Sequence, residues 1–129
     1  MSERDVIVTE GAPKPFGGAP YNQAIRAAGF VFCAGQVGLD PAEGTLVDGG
    51  VEAQARRAMD NLSAVLEAAG SSVDRIVKTT IFVADLGDFA AVNAVYGSYF
   101  TSDPPARSTV QVAGLPAGAL VEIEAIALA

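Results

Sequence analysis

Residues 61–85, NLSAVLEAAGSSVDRIVKTTIFVAD, change from helical to strand patterning around a glycine, and this change decides the fold. Before it, apolar side chains recur at helical spacing on one stripe, at Val51, Ala55, Met59, Leu62, Leu66 and Ala69. Gly70 then closes the helix, as glycine commonly does beyond a helix C-terminus. Residues 75–85, RIVKTTIFVAD, are rich in β-branched side chains, which predicts a central strand.

Five further strands and a second helix are predicted around this unit. The strands are expected within DVIVT (5–9), on either side of Ala28-Gly29 in YNQAIRAAGFVFCAGQV (21–37), and within ARSTVQVA (106–113) and LVEIEAIAL (120–128). The second helix is expected to start at an Asp85 cap and to stop at Asp103-Pro104-Pro105, with spaced positions at Leu86, Phe89, Asn93, Tyr96 and Phe100. This order predicts an α+β fold over one domain, residues 1–129, in which a mixed sheet carries two helices on one face.

Composition excludes several kinds of chemistry. The 129 residues contain no histidine and one cysteine, Cys33, so a histidine-based triad or a cysteine-based metal cluster cannot form. The net charge of −7 disfavours nucleic-acid binding. No metal or organic cofactor is expected, and Cys33 is interpreted as a small buried side chain.

The apolar content predicts self-association. Half of the residues are hydrophobic, yet no run reaches the roughly 18 apolar residues that a membrane span needs. A short chain of this kind is expected to cover its second sheet face with copies of itself. Because the N-terminal residues MSERDVIVTEG are charged and lack an apolar core, a cytoplasmic location is expected.

Three charges on the last two strands are the candidates for chemistry. Alternation places Arg107 and Thr109 on one side of their strand and the apolar residues on the other side, which is expected to face the core. If the last two strands pair as a hairpin, Arg107 lies near Glu122 or Glu124, but the register is not fixed by the sequence. An ordinary ion pair on a solvated sheet face is one interpretation. The other is a recessed arginine that binds a small organic acid through its planar fork.

Several segments together resemble the RidA family, also called YjgF/YER057c/UK114. They are APYNQAI, FVFCAGQVGLDP, NLSAVLEAAGSS, VKTTIFVADLGDFAAVNAVYGSYF and PPARSTVQVAGLPAGALVEIEAIA, which cover nearly the whole chain. The resemblance implies a chorismate-mutase-like fold and a homotrimer with ligand clefts between subunits. It also implies hydrolysis of reactive enamines and imines, such as 2-aminoacrylate (2-iminopropanoate) and 2-iminobutanoate, to 2-keto acids and ammonia.

The same resemblance implies roles for six residues. Arg107 corresponds to the arginine that holds the substrate carboxylate, and Glu122 to the glutamate that orients water. The positions expected near the substrate are Tyr21, Gly35, Asn93 and Thr109.

The chain departs from the family pattern at three positions. Ala19 stands where the family commonly has glycine before Pro-Tyr, Ala34 where a serine often precedes the site glycine, and Thr109 where cysteine is frequent. Reactivity is therefore not expected to depend on a thiol at position 109.

Three alternative functions stay open at the level of the sequence. A trimer that binds small carboxylates without catalysis, or acts as a regulatory or chaperone-like partner, would need Arg107 but not Glu122. A stable trimer without a ligand would use both charges as ion pairs. A ribonuclease has little support from a chain without histidine or tryptophan and with a net charge of −7.

Overall fold

A computed structural model describes residues 3–129 as one six-stranded sheet and two α-helices. The strands are β1 (Asp5–Ile7), β2 (Ala24–Ala27), β3 (Phe30–Val37), β4 (Ile76–Val83), β5 (Ala106–Gln111) and β6 (Val121–Leu128), and the helices are α1 (Gly50–Ala68) and α2 (Phe89–Gly97). The strand order is β1-β2-β3-β6-β4-β5. Only β4 and β5 pair in parallel, so the sheet is mixed.

Both helices pack on the same face of the sheet and form the core with it. Met59, Leu62 and Leu66 of α1 are fully buried against a cluster that includes Ile81 of β4 and Ile123 of β6. The predicted α+β class, with two helices on one face of a mixed sheet, is confirmed. Neither helix of residues 3–129 covers the opposite face of the sheet, here called the outer face.

The stretch that decides the fold adopts the predicted structure. Helix α1 ends at Ala68, and Gly70 follows with φ of +81°, a left-handed conformation that glycine takes without steric cost. Strand β4 lies between β6 and β5 and is therefore interior. The predicted hairpin around Ala28-Gly29 also forms, because both residues have positive φ and β2 pairs with β3 antiparallel.

The last two strands do not pair as a hairpin, the arrangement that would bring Arg107 near Glu122 or Glu124. Strand β5 pairs with β4, and β6 inserts between β3 and β4. The connection from β5 to β6 crosses the end of β4, where the Val112 N–H donates to the Val83 carbonyl and the Ala84 N–H donates to the Leu120 carbonyl. A helical crossover through α2 joins β4 to β5 in parallel, as such connections commonly do.

The predicted core side of β5 is also wrong. Arg107 and Thr109 face α2, whereas Ala106, Ser108 and Val110 lie exposed on the outer face. The predicted alternation is confirmed, but helix α2 covers the side of this edge strand that carries Arg107 and Thr109. The apolar side of β5 instead extends the uncovered outer face.

Two elements are shorter than the sequence predicts. Strand β1 stops at Ile7. Asp85 does cap the start of the second helical segment, where its carboxylate accepts from the Gly87 N–H, but that segment begins with a 3₁₀ turn before α2. Helix α2 ends at Gly97, so Phe100 lies beyond its last residue.

Two buried amides of α1 fix the ends of β3 and β6. The Gln54 side-chain oxygen accepts from the Leu120 N–H at 2.8 Å. Asn61 is fully buried and its amide donates to the Val37 and Leu39 carbonyls. These bonds satisfy backbone groups at the points where the strands leave the sheet, and they hold Val37 and its pairing partner Glu122 in place.

Across residues 3–129, none of the helices combines the length and the apolar character that crossing a bilayer requires.

Candidate functional site

Arg107 is held in a fixed orientation by neutral side chains. Its Nε donates to the Thr109 hydroxyl at 2.8 Å, and its Nη2 donates to the Asn93 side-chain oxygen at 2.5 Å. A guanidinium carries five N–H donors, so both hydrogens of Nη1 and one of Nη2 remain available. Asn93 and Thr109, expected near the substrate, therefore contact the arginine that is expected to bind it.

Two aromatic rings of α2 also contact Arg107. The guanidinium carbon lies 5.3 Å from the ring centre of Phe89 and 5.1 Å from that of Tyr96, within the range of cation–π attraction. The Tyr96 hydroxyl is bonded to Thr79 of β4 at 2.7 Å, which fixes that ring. The sequence predicts Phe89 and Tyr96 only as positions of the second helix. Their shared face with Asn93 was the signal that could have identified them.

No carboxylate among residues 3–129 forms an ion pair with Arg107; the ion pair between Arg26 and Asp5 lies elsewhere, between β2 and β1. Arg107 instead borders a cleft of about 630 Å³ between α2 and the start of β5. Apolar walls come from Phe89, Pro104 and Pro105. A fixed cation with unused donors beside a cleft is suited to bind an anion from solution.

Glu122 lies apart from the Arg107 cleft, on the outer face of the sheet. Its carboxyl group packs against the backbone of Gly35, where a Cβ atom would come within 2.8 Å of the carboxyl carbon and oxygen. Gly35 sits in the irregular part of β3 between Cys33 and Gln36, where the pairing register with β6 shifts. A glycine is therefore required at position 35 for the glutamate to occupy this position.

Tyr21 borders the same small cavity as Gly35 and Glu122. The cavity measures about 30 Å³, which leaves room for a water molecule. The Tyr21 hydroxyl accepts from the Phe16 N–H at 2.7 Å, so its own O–H is free to donate. Lys14 and Phe16, from the loop before β2, form another wall of the cavity. The sequence does not single out these two residues within the loop.

The environment of Glu122 favours its neutral form. Burial raises the pKa of this half-buried carboxyl, and the negative charge of Glu124 on the same strand raises it further. A carboxylate with a raised pKa is a stronger base than an ordinary surface glutamate. The cavity thus places a base beside a space for water.

The six predicted residues fall into two groups on opposite faces of the sheet. Arg107, Asn93 and Thr109 lie on the helix face, and Tyr21, Gly35 and Glu122 lie together on the other side. The pairing registers show this, because Thr79 of β4 pairs with Arg107 whereas Phe82 pairs with Glu122. One chain does not bring the two groups together.

Potential metal ligands and the thiol of Cys33 are further groups of interest in residues 3–129. Within residues 3–129, no cluster of three or more histidine, cysteine, aspartate or glutamate side chains could hold a metal ion. Cys33 is buried in the core, and burial raises the pKa of its thiol to about 12. A thiol with that pKa is protonated at neutral pH and is a poor nucleophile.

Comparison with known proteins gives matches over almost the full chain. The family model described as Endoribonuclease L-PSP matches residues 9–129. A Mus musculus protein named 2-iminobutanoate/2-iminopropanoate deaminase is 49% identical over 125 residues, covering 97% of this chain and 91% of that protein. The RutC family protein PH0854 of Pyrococcus horikoshii is 48% identical over 124 residues, covering 96% of this chain and 97% of that protein.

The backbone also matches a solved structure closely. The crystal structure of RidA from the Antarctic bacterium Psychrobacter sp. PAMC 21119 gives a TM-score of 0.92 at 40% identity. The match covers 97% of this chain and 99% of that chain. The two chains therefore share one fold.

Proposed function

The chain belongs to the RidA family, also called YjgF/YER057c/UK114, and from this premise we propose that it hydrolyses reactive enamines and imines to 2-keto acids and ammonia. The proposed substrates are small imino acids such as 2-iminopropanoate and 2-iminobutanoate, with their enamine forms. The names of mammalian relatives support this, since the mouse and human proteins, at 49% and 46% identity, are called deaminases of these two compounds. The observation that carries the proposal is the fixed Arg107 without an acidic partner.

Arg107 is proposed to bind the substrate carboxylate. Thr109 and Asn93 occupy one donor each, and the free donors on Nη1 and Nη2 can bind both oxygens of a carboxylate. Because the neighbouring side chains are neutral, the positive charge of Arg107 is not already compensated by an ion pair with an acid. Binding through this group fixes the reactive C=N bond at a defined distance from the cation.

Glu122 is proposed to activate the attacking water. The water oxygen forms a bond to the imine carbon, Glu122 accepts one water proton, and the C=N electron pair moves to nitrogen, which takes up a proton. The carbinolamine then loses ammonia as its C–N bond breaks and its hydroxyl becomes the carbonyl. One imine and one water give one 2-keto acid and one ammonia, with no change in oxidation state.

The proposed reaction needs only a modest rate acceleration from the protein. Imines hydrolyse in water without a catalyst, so positioning plus one base is sufficient for a useful rate. The carboxyl pKa of Glu122, raised by burial and by Glu124, suits the role of base better than that of an exposed glutamate. This explains how a chain without histidine can carry out acid–base catalysis.

A complete site is proposed to form between copies of the chain in a homotrimer. By strand spacing and rise, Arg107 and Glu122 of one chain are about 14 Å apart and on opposite faces, too far for one small substrate. The outer face exposes large apolar side chains on four strands, at Val6, Phe30, Phe32, Val110 and Leu128. Covering this face with a neighbouring copy would bring Glu122 of one subunit to the Arg107 cleft of the next.

The test is to generate 2-aminoacrylate or 2-iminobutanoate in situ with a dehydratase or an amino-acid oxidase, with semicarbazide competing for the imine. Adding this protein is expected to speed ammonia release and to reduce semicarbazone formation. If neither changes while pyruvate still binds in calorimetry, the protein is a carboxylate-binding module and the deaminase proposal is wrong.

A further inference from the structure

Gly97 occupies the last position of α2, on the helix face that borders the Arg107 cleft. It follows Phe89 by two turns and Asn93 by one turn, so the three residues form one stripe. Phe89 and Asn93 both contact Arg107. Any side chain at position 97 would therefore project beside the proposed binding site.

Neither the backbone nor the packing requires glycine at this position. Gly97 is not among the residues with positive φ, and a Cβ atom built there would meet no heavy atom within 4 Å. The helical turn continues past it, since the Phe100 N–H donates to the Gly97 carbonyl. Glycine at this position therefore serves neither a left-handed turn nor a close packing contact.

The space that Gly97 leaves open belongs to the cleft. In a single chain the cleft measures about 630 Å³ and opens widely to solvent, which leaves room for a ligand larger than a three-carbon acid. Its apolar walls include Phe89, Pro104 and Pro105, which are suited to contact an apolar side chain.

We propose that Gly97 is a specificity-determining residue, which keeps the Arg107 cleft open to imino and keto acids with large apolar side chains, such as those derived from leucine and phenylalanine. This inference rests on the proposed function for the identity of the head group, a carboxylate next to a reactive carbon. It adds the size and chemistry of the side chain that the cleft accepts.

The test compares Gly97→Ala and Gly97→Leu with the parent, and uses Ala94→Leu as the matched control. Ala94 is an exposed residue of α2 that does not border the cleft. Calorimetry with phenylpyruvate and pyruvate gives a ratio of affinities for each protein. The ratio is expected to fall by at least tenfold in Gly97→Leu and by less in Gly97→Ala, and to stay within twofold of the parent in Ala94→Leu.

Rates on imines made from phenylalanine and alanine with an amino-acid oxidase give an independent ratio. A parent that binds no phenylpyruvate, an affinity ratio that does not move in Gly97→Leu, or an equal change in Ala94→Leu would overturn the inference. If Gly97→Leu shows the expected change in affinity ratio but the parent hydrolyses neither imine, the deaminase proposal alone is refuted. The role of Gly97 in ligand size is then still supported.

Discussion

Arg107 and Glu122 lie on opposite faces of the same sheet, with β4 between their strands. The arginine is fixed by α2 on the helix face, and the glutamate packs on Gly35 toward the outer face. In the proposed trimer, each chain would contribute two half-sites. The expected properties of variants follow from this arrangement.

Changes at the two residues are expected to differ in kind. Arg107→Lys keeps the charge but loses the fork that Thr109 and Asn93 hold, so keto-acid affinity and turnover should both fall by about tenfold or more. Glu122→Gln keeps the size but removes the base, so turnover should fall about a hundredfold while pyruvate affinity is retained or strengthened. Imine hydrolysis and calorimetry at matched oligomer content measure both. A Glu122→Gln variant as fast as the parent contradicts the catalytic role.

Mixed oligomers should recover activity that each variant lacks. If Arg107 of one subunit works with Glu122 of the next, a trimer containing both variants has one interface with two intact partners. Random mixing after co-refolding then restores on the order of a quarter of the parent activity. The control is to mix the separately folded oligomers without unfolding them, which should give no recovery. Persistent inactivity in properly mixed trimers would contradict a site shared between subunits.

The acid side of the pH–rate profile should report Glu122. The base works only when deprotonated, and burial together with Glu124 raises its pKa. Activity is therefore expected to fall as the pH drops through a value above the ordinary glutamate range of about 4.3. Glu124→Gln removes the like charge, so its acid limb should move to lower pH. The measurement is kcat/KM against pH for both proteins, and an unchanged acid limb in Glu124→Gln would exclude this coupling.

The outer face should be the surface that holds copies together. Phe32 is 44% exposed in the middle of that face, on β3. Phe32→Glu places a charge in an apolar interface and is expected to shift light-scattering mass from trimer toward monomer while helical circular dichroism is retained. Ala68→Glu, at an exposed residue of α1 on the other side of the sheet, is the control and should stay trimeric. A trimeric Phe32→Glu protein would locate the interface elsewhere.

Local patterns in the sequence were sufficient for the elements but not for their pairing. Helix α1, the hairpin at Ala28-Gly29 and the interior position of β4 depend on nearby residues, and each forms as predicted. The position of β6 between β3 and β4 depends on contacts between distant parts of the chain. Strand pairing inferred from neighbours in the sequence does not predict such contacts. The same applies to Arg107, whose face is decided by a helix that packs over an edge strand.

The sequence indicates the charged residues of the candidate site better than it indicates the side chains that contact them. Arg107 and Glu122 stand out because they interrupt apolar strands. The rings of Phe89 and Tyr96 around the guanidinium could not be assigned, since aromatic residues at helical spacing usually mark a core. The contact between Glu122 and Gly35 depends on a shift of register that no local pattern reveals.

The insertion of β6 also constrains the order in which this sheet can be completed. Leu128 pairs with Phe30 at one end of β6, and Val121 pairs with Val83 at the other, so β6 joins a segment made of β1, β2 and β3 to one made of β4 and β5. During synthesis both segments emerge before the strand that joins them. Until β6 docks, β3 and β4 present unpaired edges that invite association with other chains. Docking of β6 closes these edges and delivers Glu122 to Gly35, so maturation of the glutamate half-site and protection against aggregation should occur in the same folding step.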